Sequence, residues 1–483
     1  MRRFFAKNLL FTLIVNVLVM PIWVIFIDRT VQNRVGEHSY GTYTPLLGLS
    51  LVFAVLLDLG ITNFNTRSIA QNPQGLKEQF PAMFSARLVL VLIYMAVLAI
   101  AGIVSGYDRW EMSMLLGIGL IQVMLNTVLF LRSNVAALQK FKLDSVLSVS
   151  GRLLMIVVCG FLLIYPRTAH VFRIEWFVIT QIICYSITAV IAYLALRRLQ
   201  HVRLRFALNG AQLWSIIRNT FPYALLVFLM SIYTRFDVYL IKQLLGPDGP
   251  AQANVYYAAY RWLDVGNNFG LLFAGILLPL FGRMLIQKEN VASIITLCVN
   301  ILLPISLMIA VASYYWGSPI MHKLYHAATD SYGAVLFWVM TAFPAFCMMY
   351  VYSTLLTANG NLKLLNKIAF LGCVVSISLN LYMIPHYQAL GAAITGGITQ
   401  WTVALCYIYF ACKTIKVPLP LRWALVHLCY VVLIIAMGWG ITRLPLSWLM
   451  QAVAFVIACG ALMMLFRFIS VKDAVQLIAK RQS

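Results

Sequence analysis

Charge is scarce in this chain, and its scarcity excludes an ordinary soluble protein. Only 10% of the 483 residues are charged, and 62% are hydrophobic. Typical soluble domains have about 25% charged residues and at most about half apolar ones. The chain therefore carries more apolar surface than a soluble core of this length can bury, and a membrane protein is expected.

Recognisable catalytic motifs are also lacking. The sequence contains no GxxxxGK[ST] phosphate loop and no HExxH zinc motif, and none of its nine cysteines forms a CxxC pair. The longest connection, residues 197–219, is too short for the outer catalytic loop expected of a polysaccharide polymerase or ligase. These absences favour transport over catalysis and predict no cofactor and no metal site. An enzyme with its chemistry embedded in the spans is the alternative.

Apolar runs of about 20 residues, enough to cross a bilayer as a helix, recur along the whole chain. The sequence therefore predicts an all-α polytopic membrane protein with about 14 transmembrane helices. The first run is longer than a typical signal-peptide core and is expected to stay uncleaved. The predicted spans are residues 8–28, 45–67, 83–104, 112–132, 148–166, 174–196, 220–243, 254–282, 293–315, 332–357, 365–385, 389–412, 422–442 and 446–467.

The net charge of +22 is a topology signal and not a nucleic-acid-binding signal. With the N-terminus placed in the cytoplasm, the cytoplasmic segments hold 26 Lys and Arg and the outer segments hold 8. This asymmetry is the positive-inside bias of a correctly phased topology. Both termini are therefore expected in the cytoplasm, and no nucleic-acid partner is predicted.

Four charged residues fall inside apolar spans as two pairs of opposite sign, Arg235 with Asp237 and Arg261 with Asp264. Each such group costs roughly 2.5–3.5 kcal/mol near the bilayer centre unless it is paired or lines a polar cavity. The spacing of the second pair puts both residues on one helix face. The pairs therefore predict a polar route through the membrane. The first half of the chain supplies weaker counterparts: Asp58 within the second span, Asp28 and Arg29 at the outer end of the first, and Arg67 near the cytoplasmic end of the second.

Two segments of the chain resemble each other. In the first, a span ends at Asp28, Gly36 follows, and the tyrosine-containing run at residues 40–43 leads into the next span. In the second, a span contains Asp237, Gly246 follows, and the tyrosine-containing run at residues 256–260 leads into the next span. Six spans separate the copies, so both halves have the same orientation. Parallel repeats of this kind place a binding site between the halves near the midplane. Chance likeness between membrane hairpins is the alternative.

The repeat and the composition divide the chain into four predicted parts. Residues 1–200 form an N-terminal six-helix lobe, and residues 220–415 form a C-terminal six-helix lobe. Between them, residues 201–219 are basic and amphipathic and suit an interfacial linker on the cytoplasmic side. Residues 416–483 add two transmembrane helices and a basic cytoplasmic tail.

Three segments resemble one known family. The segments RVGEHSYGTY at residues 34–43 and LLDLGITNFNTRSIAQN at residues 56–72 resemble polysaccharide-biosynthesis flippases of the Wzx type. These flippases belong to the multidrug/oligosaccharidyl-lipid/polysaccharide (MOP) exporter superfamily. Residues 355–400, with an ANG turn, an IP and a GAA, are similar to the C-terminal lobe of that superfamily. Fourteen spans fit its flippase branches, whereas the drug-extruding branch typically has twelve.

The resemblance implies a V-shaped, MATE/MurJ-like transporter of two six-helix lobes that alternates between inward-open and outward-open states. Its substrate is expected to be an isoprenoid-pyrophosphate-linked oligosaccharide, as in O-antigen and lipopolysaccharide synthesis, in a bacterial inner (plasma) membrane. Membrane lipid, a coupling ion, and polysaccharide polymerase and chain-length proteins are the expected partners. A cation-coupled drug exporter of the same fold is the alternative.

Under this resemblance the buried pairs acquire roles. Arg235 and Arg261 are expected to contact the pyrophosphate or acidic sugars, because the planar guanidinium donates two parallel charge-assisted hydrogen bonds. Asp237 and Asp264 are expected to hold these arginines and are candidates to relay a coupling proton or cation. The alternative is a static ion-pair network that locks the seventh and eighth spans together.

Overall fold

The regular structure of the described residues is helical. The structure, a computed structural model, describes residues 19, 21–62, 65–66, 69, 73–138, 140–202, 204–206, 210–415 and 421–468. Most of the first predicted span and the predicted tail beyond residue 468 lie outside these residues. The predicted linker is described only in part.

The first half of the chain opens with one π-helical turn, Trp23–Asp28. Helices α1 to α7 follow: α1 (Arg29–Val35), α2 (Glu37–Phe53), α3 (Leu76–Val104), α4 (Arg109–Ala137), α5 (Phe141–Ile164), the short α6 (Pro166–Ala169) and α7 (Ile174–Gln200). The second half comprises α8 (Gly210–Leu245), α9 (Gly249–Ile286), α10 (Ala292–Leu324), α11 (Asp330–Ala358), α12 (Leu362–Ile415), α13 (Leu421–Ile441) and α14 (Trp448–Leu465).

Eleven stretches of the described chain are long and apolar enough to cross a membrane. Two of them contain two helices each. Residues Thr220–Ile286 hold most of α8 and all of α9, and α12 consists of two helices that meet at a kink at Gln388, whose backbone lies at φ 55° and ψ −134°. Thirteen helices therefore correspond to the second to fourteenth predicted spans. The all-α polytopic fold is confirmed, and the full count of fourteen stays a prediction.

Local sequence signals set several helix ends. Helix α4 begins with a capping box in which the Glu111 amide donates to Asp108 at 2.7 Å, and the Asp108 amide donates back to the Glu111 side chain at 3.3 Å. Between α8 and α9, Gly246 adopts φ +53°, a conformation that costs glycine little. These signals place the α3–α4 and α8–α9 turns where the span prediction expects them.

Helix α2 is interrupted near its C-terminal end. It tightens into a 3₁₀ turn at Ala54–Leu57, after which Leu59 and Gly60 adopt φ +42° and +85°. A left-handed conformation is costly for leucine, by roughly 1–2 kcal/mol, so other contacts must hold this bend. Thr220 of α8 is one of them, since its hydroxyl donates to the Leu59 carbonyl. Asp58 lies within the bend.

The chain forms two units. The first comprises Met1–Tyr257 and Asn380–Gln388. Helix α2 is its most enclosed membrane helix, with 72% of its apolar stretch buried, and it packs against α4 and α8. A separate apolar cluster of the same unit joins α3, α4 and α7 around Phe80, Phe130 and Leu196.

The second unit comprises Ala258–Leu379 and Ala389–Ser483. Helix α11 is equally enclosed and packs against α10 along its length. Helices α13 and α14 pack on α10 through an aromatic cluster that includes Trp316, Tyr430 and Phe455. Only 17% of the apolar stretch of α14 is buried, so most of its side chains are free to face lipid.

Candidate functional site

Asp237 on α8 is a buried carboxylate held by side chains from two other helices. It is 2% exposed. Its Oδ2 atom accepts a hydrogen bond from the Tyr256 hydroxyl at 2.9 Å, and its Oδ1 atom accepts one from the Asn380 amide at 2.7 Å. Hydrogen bonds to an ionised group are roughly twice as strong as neutral ones. The two donors therefore offset part of the cost of burying this carboxylate in a membrane helix.

Asp28, at the end of the π-helical turn, repeats this arrangement in the first half of the chain. It is 1% exposed, and its Oδ2 atom accepts a hydrogen bond from the Tyr40 hydroxyl at 2.9 Å. In each copy the aspartate therefore accepts a hydrogen bond from the first tyrosine of the run that follows the glycine, Tyr40 in the first copy and Tyr256 in the second. A contact present in both copies favours an internal repeat over chance likeness between hairpins.

Close packing of α2 against α8 and the start of α9 positions this region. A Cβ atom added at Gly48 would lie 2.9 Å from the carbonyl oxygen of Arg235, and one at Gly41 would overlap the carbonyl of Pro250. Small residues let membrane helices approach this closely. The amide of Gln32 donates to Asn254 at 2.8 Å and adds a buried polar link to the same region.

The remaining residues of the predicted pairs lie on α8 and α9. Arg261 is 8% exposed, whereas Arg235 and Asp264 are partly exposed. Arg261 and Asp264 are three residues apart on one continuous helix, as expected for residues that share a face. Arg235 and Asp237 belong to the first unit, and Arg261 and Asp264 belong to the second. A single cluster of all four residues stays a prediction.

Asp58, at the bend after α2, pairs with Arg87 of α3. Arg87 Nη1 donates to Asp58 Oδ1 at 2.6 Å, and the two side chains are 7% and 26% exposed. The Asp58 carboxylate also accepts hydrogen bonds from the amide and hydroxyl of Thr62. Arg87 Nη2 donates to the carbonyl and side chain of Asn126 at 3.0 and 3.2 Å, and its guanidinium lies 4.7 Å from the Phe130 ring centroid. The pair therefore fixes the bend to α3 and α4.

The two remaining candidate residues contribute less to this site. Arg29 begins α1 directly after Asp28 and is partly exposed. Arg67 lies outside the described residues, so its predicted role in the cavity stays a prediction. No group of three or more His, Cys, Asp or Glu in the described part of the chain is arranged to hold a metal ion.

The sequence matches a known protein family, and the fold matches solved structures. The model of a family of polysaccharide biosynthesis proteins matches residues 5–285, more than half of the chain. The chain belongs to this polysaccharide biosynthesis family. No curated protein matches the sequence of this chain.

Solved structures with the same fold include flippases and transporters of the MOP superfamily. The family member described here is similar to the lipid II flippase MurJ in an inward closed conformation, with a TM-score of 0.70 and 12% identity over 98% of this chain and 99% of that one. It is also similar to an inward-facing multidrug resistance MATE transporter, with a TM-score of 0.65 and 15% identity over 82% and 94% of the two chains. A MOP superfamily transporter from Pyrococcus furiosus matches with a TM-score of 0.59 and 15% identity over 85% and 96%. The chain therefore has a MurJ/MATE-like fold.

In this family member, the contacts of Arg87 and Asn380 and the ion pair between Lys242 and Glu111 were not predicted from the sequence. When Lys and Arg were counted on the two sides of the membrane, Arg87 was assigned to a cytoplasmic segment. In the structure Arg87 lies about three turns into α3. Its position inside the predicted span 83–104 was the signal that it is a buried charge. No comparable signal marks Lys242 and Glu111, because they are 131 residues apart.

The repeated tyrosine–aspartate bonds predict equal effects in the two halves of the protein. Tyr40→Phe and Tyr256→Phe each remove one hydrogen bond to a buried carboxylate, a loss of about 2 kcal/mol. Each variant should therefore lower the thermal unfolding temperature in detergent by a similar amount. Tyr223→Phe, which alters an exposed side chain on α8, is the matched control and should leave the temperature nearly unchanged. Unfolding temperatures of the two test variants equal to that of the control would contradict this prediction.

Proposed function

We propose that the protein moves an isoprenoid-pyrophosphate-linked oligosaccharide from the cytoplasmic to the outer leaflet of a bacterial inner membrane by alternating access. The glycan would be an O-antigen, capsule or exopolysaccharide unit. Membership of the polysaccharide biosynthesis family is the observation that carries this proposal. The MurJ-like fold over nearly the whole chain supports it.

The chemistry of the buried residues suits such a substrate. The lipid tail can stay in the bilayer while the sugars and the pyrophosphate cross, so the protein must supply a polar and cationic path. Arg261, buried within a membrane helix, is the candidate for the pyrophosphate, because its planar fork matches phosphate oxygens. The further cationic candidates are Arg235, Arg29 and Arg67. Asp58 completes the set of residues proposed to line the substrate path.

Asp237 is the candidate for coupling transport to a proton or cation. Its carboxylate is buried and already accepts two hydrogen bonds, so a change in its charge would alter contacts with both α9 and α12. Asp264 is the second candidate of this kind. Asp28 has the same tyrosine contact in the first half, which makes it the natural comparison in any measurement of coupling.

The two predicted six-helix lobes, residues 1–200 and 220–415, are proposed to rock against each other during this cycle. Both termini and the linker at 201–219 would lie on the cytoplasmic side, as the distribution of Lys and Arg indicates. A polysaccharide polymerase and chain-length proteins are the proposed partners, since they would act on the flipped unit.

A drug exporter is the second candidate function, because MATE transporters share the fold. A strain that lacks the gene separates the two. If the protein is the flippase, lipid-linked glycan accumulates on the cytoplasmic leaflet and surface polysaccharide is lost, while drug susceptibility stays unchanged. Normal surface polysaccharide together with increased drug susceptibility would overturn the proposal in favour of the exporter.

A further inference from the structure

Lys242, near the C-terminal end of α8, forms an ion pair with Glu111 at the start of α4. The two side chains are only 12% and 18% exposed. Removing two charges from water is costly and is repaid only when further contacts satisfy both groups. Both groups have such contacts. Glu111 also caps α4 through its other oxygen, and the Lys242 ammonium lies 4.3 Å from the ring centroid of Tyr107.

A second contact lies beside the ion pair. The hydroxyls of Ser105 and Tyr239 are 2.9 Å apart, and Tyr239 lies one turn before Lys242 on the same helix. Residues three apart share a helix face, so one face of α8 carries both contacts. Residues 105–111 form the other side, because they connect α3 to the first turn of α4. The end of α8 is thus fixed to the α3–α4 connection at two adjacent points.

These contacts cross the predicted internal repeat. Helices α3 and α4 belong to the predicted first lobe and α8 begins the predicted second lobe, while in this structure the contacting residues all lie within the first compact unit. The charge-based topology also places both sides of the contact at the outer surface, because α3 and α8 each run outward. Two segments that the sequence assigns independently to the same side of the membrane are therefore joined here.

We propose that Ser105, Tyr107, Glu111, Tyr239 and Lys242 form an outer latch that is closed in this structure and must open for substrate to leave toward the outer leaflet. This inference rests on the proposed transport function. In alternating access, contacts between repeats at one face of the membrane break while the site is exposed to that face. A charge pair near the surface suits this task, because both partners regain water when they separate.

Reversible cross-linking tests the latch. Ser105→Cys and Tyr239→Cys, introduced together after replacement of the native cysteines, place two thiols on its opposite sides. A bifunctional thiosulfonate reagent is needed, because the length of tyrosine keeps the two backbones too far apart for a direct disulfide. Cross-linking should abolish export, and reduction should restore it. The uncross-linked protein shows separately whether the chain exports glycan at all, so failure of the proposed function is distinguished from failure of the latch.

A matched pair on the same side of the membrane is the control. Trp110 of α4 donates to Glu175 of α7 at 2.7 Å, and both helices belong to the predicted first lobe. A cross-link between Trp110→Cys and Glu175→Cys should leave export unchanged, since the lobe moves as one body. Export that continues at full rate with residues 105 and 239 cross-linked would overturn the latch.

Charge exchange tests the ion pair without reference to transport. Glu111→Lys places two like charges together and should lower the rate of the 105–239 cross-link by about tenfold, since breaking a buried pair is strongly unfavourable. Adding Lys242→Glu restores opposite charges and should return the rate to within about twofold of the original. A cross-linking rate unaffected by Glu111→Lys would show that the ion pair does not hold the latch closed.

Discussion

Arg261→Ala is expected to lower glycan export by about 100-fold while the protein is still made and inserted. Arg261 is the more buried of the two arginines in the predicted pairs, and its proposed ligand is a pyrophosphate. Each hydrogen bond to a charged group contributes about 1.5–3 kcal/mol, and each 1.4 kcal/mol corresponds to a factor of ten. Loss of a two-bond contact therefore accounts for about two orders of magnitude or more. The measurement is the amount of surface polysaccharide in cells with matched protein levels.

Two further variants make this result specific. Arg261→Lys keeps the charge but loses the planar fork, so it should retain part of the export activity. Arg443→Ala removes an exposed arginine that stacks on Trp439 at 3.7 Å and should export normally. A static ion-pair network predicts a different pattern: Arg261→Ala would lower the amount of folded protein, and Asp264→Ala added to it would restore both protein and export.

Arg87→Met is expected to destabilise the protein by about 3 kcal/mol, because it removes a buried guanidinium that bonds both Asp58 and Asn126 and leaves the Asp58 carboxylate without its cation. The bend after α2 would lose its attachment to α3 and α4. Thermal unfolding in detergent measures the effect. Addition of Asp58→Asn removes the remaining charge and should recover most of the loss, as is typical when both members of a buried pair are replaced.

Arg132→Met is the control for this prediction. Arg132 pairs with Asp144 at 2.9 Å, and the Arg132 side chain is 20% exposed, against 7% for Arg87. Arg87 also donates to Asn126 and lies over the Phe130 ring, so its loss removes more contacts. A smaller loss is expected, nearer the range of about 1 kcal/mol found for exposed pairs. If Arg87→Met were no more harmful than Arg132→Met, the Asp58–Arg87 pair would not hold the bend.

Hydropathy predicted the described membrane helices well, because the apolar run needed to cross a bilayer is a strong and local signal. The kink of α12 at Gln388 also falls between two predicted spans. The bend at Leu59 and Gly60 was not predicted. Its cause is the contact of Asp58 with Arg87 and of Leu59 with Thr220, and such long-range contacts leave no trace in a local hydropathy pattern.

The part of the candidate site that lies in both copies of the internal repeat could be predicted from the sequence. Comparison of the two copies placed Asp28 beside Asp237 and the tyrosine run at 40–43 beside the run at 256–260. The structure then shows that the first tyrosine of each run donates to its aspartate. The partner Asn380 comes from a helix 143 residues away and has no counterpart in that comparison. For the same reason, the pairing of Lys242 with Glu111 is visible only once the helices are packed.

The most direct test of the account is transport by the purified protein in lipid vesicles. Lipid-linked oligosaccharide is incorporated, and the fraction accessible to a membrane-impermeant glycan-modifying enzyme on one side is followed in time. Vesicles with the protein should move glycan from the protected leaflet to the accessible one, and vesicles with Arg261→Ala should do so about 100-fold more slowly. Equal rates in vesicles with and without the protein, with an active coupling gradient present, would contradict it.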